Sequence, residues 1–166
     1  MMHLRRIARH LATSHRQVKR CFPDKTMAAI EQAIKTSESA HLGEIRFVVE
    51  AALDGMPLFK GISARARAID VFSQLRIWDT EHNNGVLIYL LLADRDVEIV
   101  ADRGIHAKAS SAEWENICHK MEIAFKHAQF KEGVIEGIHA ITQHLHKHFP
   151  TVRDTQNELS DTPVIL

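Results

Sequence analysis

The sequence predicts an α/β fold, a three-layer sandwich in which helices cover both faces of a small mixed sheet. Residues 86–92 are continuously apolar, which is typical of a central strand buried on both faces. The β-rich segment 44–50 precedes this strand, and the alternating segment 96–102 follows it after a tight turn, which indicates an antiparallel hairpin. Helical periodicity separates the strands, and helices packed on a sheet are the economical arrangement.

Four helices are expected around these strands. The first covers residues 24–39, and the second begins at Ser63 and ends near Asp79. Ser110 or Ser111 caps the third, because a serine side chain accepts a hydrogen bond from the first turn of a helix. The fourth follows Phe130, and Pro150 ends it.

The length of 166 residues and the hydrophobic fraction of 45% suit one domain with a real core. We assign residues 22–150 to this domain, between a basic amphipathic N-terminal helix, residues 1–21, and a polar tail, residues 151–166. The last four residues of the tail are mostly apolar, so the tail either stays mobile or adds a short strand to a sheet edge.

Several protein classes are excluded by composition and motifs. The net charge of zero argues against disorder and against wholesale nucleic-acid binding. The longest apolar run is far shorter than the ~18–20 residues of a membrane-spanning helix, and charged residues interrupt the N-terminus where a secretory signal needs an apolar stretch. Two cysteines are too few for a disulfide framework. We therefore expect a cytoplasmic protein.

Positive charge is concentrated at the N-terminus, in a segment that we call the arm (residues 1–21). Its apolar residues recur at spacings of three and four, so it is predicted to be an amphipathic helix that either lies on an anionic membrane surface or docks on its own domain. Nucleic acid is not expected as its partner, because aromatic residues are not interleaved with the charges. The arm holds six basic and no acidic residues: Arg5, Arg6, Arg9, Arg16, Lys19 and Arg20.

Oxygen-bearing side chains precede the central strand at nearly alternate positions, which suits a hard cation such as Ca²⁺. Asp102 is predicted to lie near them, at the open end of the hairpin. The spacing differs from that of an EF-hand, and the alternative is ordinary turn chemistry. The candidate metal ligands are Asp79, Glu81, Asn83, Asn84 and Asp102.

Two further Asp-Arg pairs flank the second hairpin strand, Asp94-Arg95 at the turn and Asp102-Arg103 at the open end. An arginine beside a carboxylate could hold a phosphate oxygen or contact a protein partner. Asp94, Arg95 and Arg103 are therefore candidates for such a site, with turn formation as the alternative.

The segment from Asn84 to Ile105 resembles the signature of the TPM domain. It has an Asn-Gly pair, an apolar strand, an Asp-Arg turn, a second strand and Gly104. The closing segments, residues 157–159 and 163–166, resemble a short bacterial branch that lacks a signal peptide and a transmembrane helix.

The resemblance implies a small mixed sheet between helices. It links the chain to proteins involved in photosystem II repair, receptor modulation, acid phosphatase activity and calcium binding. Many members carry Gly-Leu-Glu where this chain has Gly104-Ile105-His106, so the carboxylate of that glutamate is missing.

Two functions follow from these observations. The first is an accessory domain that acts through a protein partner at the cytoplasmic face of a membrane, with a bound divalent cation. The alternative is a phosphomonoesterase in which Asp79 and Asp102 hold a metal or exchange protons, while Arg95 or Arg103 holds the phosphate.

Overall fold

The computed structural model describes residues 2–151 and 156–166. These residues form eight helices and four strands. The helices are α1 Met2–Ala12, α2 His15–Cys21, α3 Asp24–Glu38, α4 Gly55–Phe59, α5 Ala64–Gln74, α6 Arg103–His106, α7 Ser111–Lys126 and α8 Phe130–His148. The strands are β1 Glu44–Glu50, β2 Gly85–Leu91, β3 Asp96–Ala101 and β4 Val164–Ile165.

The strands form one mixed sheet in the order β3-β2-β1-β4. β1 pairs in parallel with β2, from Glu44 opposite Gly85 to Glu50 opposite Leu91. β2 and β3 form the predicted antiparallel hairpin. The prediction of a mixed sheet made of one strand and a hairpin is confirmed.

Helices cover both faces of this sheet, which confirms the three-layer α/β/α sandwich. On one face, alternate side chains of β1 such as Phe47 pack with β2 and with α2, α3, α7 and α8 in the larger core. On the other face, Val48, Leu87 and Leu91 pack with α4 and α5. Every residue of β2 is buried, as its unbroken apolar sequence predicts.

The arm forms two helices, α1 and α2, where we predicted one. The chain leaves the helical pattern at Thr13 and Ser14, and the Gln17 side chain accepts a hydrogen bond from the Ser14 backbone N–H at 3.1 Å. This bond satisfies one of the donors that a helix start leaves free, so α2 begins as a separate helix.

Helix α5 ends at Gln74, before the predicted end near Asp79. Arg76 adopts a left-handed conformation with φ 52°, and the Ile77 N–H donates to the Phe72 carbonyl at 3.1 Å. This is a Schellman end, in which the buried Ile77 packs under the helix. The short helices α4 and α6 were not predicted, because their sequences have the composition of turns.

The tail adds the predicted edge strand. β4 pairs in parallel with β1, and the Glu44 carboxylate accepts a hydrogen bond from the Leu159 N–H at 3.1 Å. Arg46 donates to the Ser160 carbonyl. Residues 152–155 of the predicted tail lie outside the described residues.

Ser110, not Ser111, caps α7, and this predicts unequal effects of two similar substitutions. The Ser110 hydroxyl accepts from the Glu113 N–H, and the Glu113 carboxylate accepts from the Ser110 N–H at 3.0 Å. We expect Ser110→Ala to lower the free energy of unfolding by about 1 kcal/mol in urea denaturation. Ser111→Ala is the matched control, since Ser111 is the first helical residue, and equal losses from both variants would contradict the cap assignment.

Candidate functional site

The predicted cation ligands in the segment before β2 make separate contacts. The Asp79 carboxylate is exposed and accepts from Arg76 Nη2 at 2.7 Å. Glu81 is exposed, and the Asn83 carbonyl accepts from the Gly104 N–H at 3.0 Å. Within residues 2–151 and 156–166, no three His, Cys, Asp or Glu side chains are placed to hold one metal ion. These ligands therefore do not form a preassembled carboxylate cluster.

Asn84 and Asp102 are the two predicted ligands that the structure buries. The Asp102 N–H donates to the carbonyl of Gly85, the residue after Asn84, at 2.9 Å. Asn84 Nδ2 donates to a backbone carbonyl, and Asp102 Oδ1 accepts from the Arg103 N–H at 2.6 Å as the cap of α6. Asn84 Oδ1 and Asp102 Oδ2 are buried and have no hydrogen-bond partner among the described residues. Two buried oxygens thus lack a donor at this edge.

The two Asp-Arg pairs lie at opposite ends of the hairpin and cannot act as one site. Asp96 and Ala101 pair with opposite ends of β2, at Leu91 and Val86. Six residues of extended chain span about 20 Å, so Asp94 and Arg95 are too far from Asp102 and Arg103 to share a ligand. Arg95 and Arg103 are both exposed.

Asp94 holds the arm on the domain. Its Oδ2 accepts from Arg6 Nε at 2.8 Å and faces His10 Nε2 at 3.1 Å, while Oδ1 accepts from Arg9 Nη2 at 2.9 Å. His10 Nδ1 accepts from the Leu53 N–H at 2.9 Å, so the ring proton of neutral His10 is on Nε2, facing Asp94. Of the two predictions for the arm, docking on its own domain is the one observed.

The surroundings of Asp94 favour its charged form. Burial acts to raise the pKa of Asp94, but the hydrogen bonds and charges of Arg6 and His10 lower it overall. The carboxylate thus remains ionised, with basic groups around it.

Docking turns toward the domain the side of α1 that carries Arg6 and His10, and Ile7 beside them packs against the smaller core. His10 is buried and Arg6 is largely buried, whereas the side of α1 that carries Leu4 and Leu11 faces solvent, with exposed fractions of 72% and 77%. The sequence predicted an amphipathic helix but did not predict this orientation. The other basic residues of the arm, Arg5, Arg16, Lys19 and Arg20, are also exposed.

A buried polar cluster lies on the face of the sheet that α4 and α5 cover. Glu50, at the end of β1, accepts from Arg67 Nε and Nη2 at 2.9 Å each, and from the Tyr89 hydroxyl at 2.5 Å. Burial raises the pKa of Tyr89, as does its hydrogen bond to Glu50. The cluster is internally satisfied and ties α5 to the sheet.

The TPM-domain family model matches residues 18–144 of this chain. The chain belongs to the TPM-domain family. The match begins within α2, so α1 lies outside the part of the chain that matches the family model. No match was found among the curated proteins.

Two solved structures are similar to this TPM-domain protein. The NMR structure of the BA42 protein from the psychrophilic bacterium Bizionia argentinensis is 33% identical, with a TM-score of 0.75, over 85% of this chain and 92% of that one. The solution structure of the N-terminal domain of a protein from P. gingivalis is 20% identical, with a TM-score of 0.63, over 80% and 82% of the two chains. The second likeness shows the fold alone.

None of the helices in the described residues combines the length and apolarity needed to cross a membrane.

The Asp94 contacts predict pH-dependent docking of the arm. Because the pKa of Asp94 is lowered in the folded protein, its stabilising contribution is complete above the ordinary aspartate pKa of about 3.9 and is lost as the pH falls through the lower folded value. The NMR resonance of the Leu53 N–H, which donates to His10, should report this release. At neutral pH we expect Asp94→Asn to weaken docking by about 2 kcal/mol, since Arg6 and His10 lose their charged partner.

Asp70→Asn is the control, because Asp70 is an exposed residue of α5. A Leu53 resonance that responds equally to both variants, or that stays unchanged when acid protonates the aspartates, would show that Asp94 does not hold the arm.

Proposed function

We propose that this protein is an accessory domain that attaches through its arm to an anionic membrane surface, at the cytoplasmic face, and acts there on a protein partner. The orientation of α1 carries the proposal. An amphipathic helix that completes its own core buries its apolar side, whereas α1 turns Arg6, His10 and Ile7 toward the domain and exposes both of its leucines, Leu4 and Leu11.

The exposed side of α1 has the composition of an interfacial helix. Leu4, Ala8 and Leu11 follow one another at spacings of four and three and are all exposed, with Arg5 beside them. Such a helix lies in the plane of the membrane, with its apolar side among the acyl chains and its cations at the headgroups. Each basic residue near an anionic surface adds about 1 kcal/mol of attraction.

The basic residues of the arm fall into two sets, one that contacts the domain and one that is exposed. Arg6 and Arg9 contact Asp94, whereas Arg5, Arg16, Lys19 and Arg20 are exposed and have no ion pair among the described residues. The exposed set therefore remains to attract an anionic surface while the arm is docked. Exposed Met56 and Phe59 of α4, a helix in contact with α1, enlarge the apolar area on this part of the protein.

The geometry favours this accessory role over a phosphomonoesterase. Asp79 contacts Arg76 in solvent, and Asp102 caps α6 inside the protein. Arg95, one of the two arginines expected to hold phosphate, lies at the far end of the hairpin from Asp102, and Arg103 is exposed. Asp79, Asp102 and Arg95 therefore do not surround one point where a phosphate could react.

We also propose that the protein binds a divalent cation, with only Asn84 and Asp102 kept from the predicted side-chain ligands. Asn84 Oδ1 and Asp102 Oδ2 are oxygen atoms of the kind Ca²⁺ prefers, and both are buried without a donor. Two side-chain oxygens are few for an ion that takes six to eight ligands, so backbone carbonyls and water would supply the rest.

Membrane attachment is tested by vesicle co-sedimentation. We expect Leu4→Ser with Leu11→Ser to reduce binding to vesicles of phosphatidylglycerol and phosphatidylcholine by tenfold or more, because each leucine loses the ~1.5–3 kcal/mol of its burial. Binding of the wild-type protein should also weaken as salt is added, since salt screens the attraction of its basic residues.

Ile69→Ser is the matched control, because Ile69 is an exposed apolar residue on a different helix, α5. Undiminished binding of the double leucine variant, or an equal loss in Ile69→Ser, would rule out attachment through α1.

The cation is tested by thermal unfolding. We expect millimolar Ca²⁺ to raise the unfolding midpoint of the wild-type protein and of Asp79→Ala but not of Asp102→Asn, because a ligand of the native state stabilises it. Asparagine keeps the cap of α6 but removes the charge. A calcium shift that survives in Asp102→Asn, or no shift in the wild-type protein, would contradict a site at Asp102.

A further inference from the structure

A wide cleft opens between the arm and the domain at the carboxyl ends of β1 and β2. Its volume is about 980 Å³. Leu92 and Ala93, which follow β2, line it together with Phe130. In open α/β sheets the crevice at the carboxyl ends of the strands is the usual ligand position, and this volume is at the upper end of the range for small-ligand sites.

Basic side chains from four separate elements line this cleft. Arg9 belongs to α1, Arg20 to α2, Arg95 to the β2–β3 turn and Lys131 to the first turn of α8. Burial raises the pKa of the Cys21 thiol, which also lines the cleft, and the charges of Arg95 and Arg20 partly offset that rise. Both guanidinium groups therefore act electrostatically on one side chain of the cleft.

This positive charge is not neutralised within the cleft. Asp94, one of its two acidic lining residues, already contacts Arg6, Arg9 and His10. Over the described parts of the chain, Arg20, Arg95 and Lys131 form no ion pair. The cleft lining thus has three cations without an ion pair and one remaining carboxylate, that of Glu132.

We propose that this cleft binds the phosphate group of an anionic lipid in the membrane on which α1 lies. Guanidinium groups bind phosphate oxygens through paired, charge-assisted hydrogen bonds. The cleft lies at the C-terminal end of α1, since Arg9 and Ala12 line it. The inference rests on the proposed membrane attachment and adds to it a preference for one class of headgroup.

Attraction by charge alone does not distinguish two anionic lipids at the same surface potential, whereas a phosphate-binding cleft does. A monoester headgroup such as that of phosphatidic acid presents its phosphate oxygens freely, whereas phosphatidylglycerol carries a diester. Vesicles of the two lipids in phosphatidylcholine, matched in surface potential, therefore separate cleft binding from general attraction. We expect the wild-type protein to bind the phosphatidic acid vesicles several-fold more tightly.

The test compares variants on both vesicle types. Arg20→Gln with Lys131→Gln should lose this several-fold preference for phosphatidic acid, while binding to phosphatidylglycerol vesicles falls less. Arg16→Gln is the matched control, since Arg16 is an exposed residue of α2 that does not line the cleft, and it should keep the preference.

Membrane attachment and phosphate binding in the cleft are tested by different variants. Loss of binding to both vesicle types in the Leu4 and Leu11 double variant tests attachment, whereas loss of the preference alone tests the cleft. Equal binding of the wild-type protein to both vesicle types, or a preference lost equally in Arg16→Gln, would overturn the lipid assignment. Cleft-dependent binding of inorganic phosphate in solution without any vesicle preference would also overturn it, in favour of a soluble phosphate ligand.

Discussion

The placement of the arm depends on one carboxylate, Asp94, whose side chain is only 11% exposed. A charge in that position is costly unless basic groups surround it, and Arg6, Arg9 and His10 do so. Because Arg6 and His10 lie one helical turn apart, both can reach Asp94 only if that side of α1 faces the domain. Leu4 and Leu11 are then turned to solvent, whereas Ile7 packs against the domain.

Asp94 is held in turn by the most constrained part of the sheet. It follows β2, which is buried throughout and pairs on both sides, with β1 and β3. The Arg95 backbone is left-handed at φ 52°, and its N–H closes the turn onto the Leu92 carbonyl at 3.1 Å. The sheet core therefore fixes the carboxylate, and the carboxylate fixes the arm.

The sheet could be predicted from the sequence because its signals are local, whereas the sites depend on distant contacts. The bounds of β1 and of the hairpin follow from runs of apolar and alternating residues, and β1 begins and ends where predicted. The orientation of α1 depends on Asp94, 88 residues after Arg6, so no periodicity within the arm could reveal it. Asp79 and Asp102 were predicted to lie close together at the open end of the hairpin. Their side chains are instead oriented by separate contacts, that of Asp79 by Arg76 and that of Asp102 by the first N–H of α6.

Because ion pairs and not leucines hold the arm on the domain, Leu4 and Leu11 can contact a second surface. An arm that completed its own core with leucines would have to leave the domain before those leucines could enter a membrane, and that release would be subtracted from the binding energy. Here the domain uses Arg6, Arg9 and His10, so Leu4 and Leu11 are available while the arm stays in place. In the proposed attachment the helix would be ordered before it met the membrane, which would lower the entropy cost of binding and keep the cleft assembled.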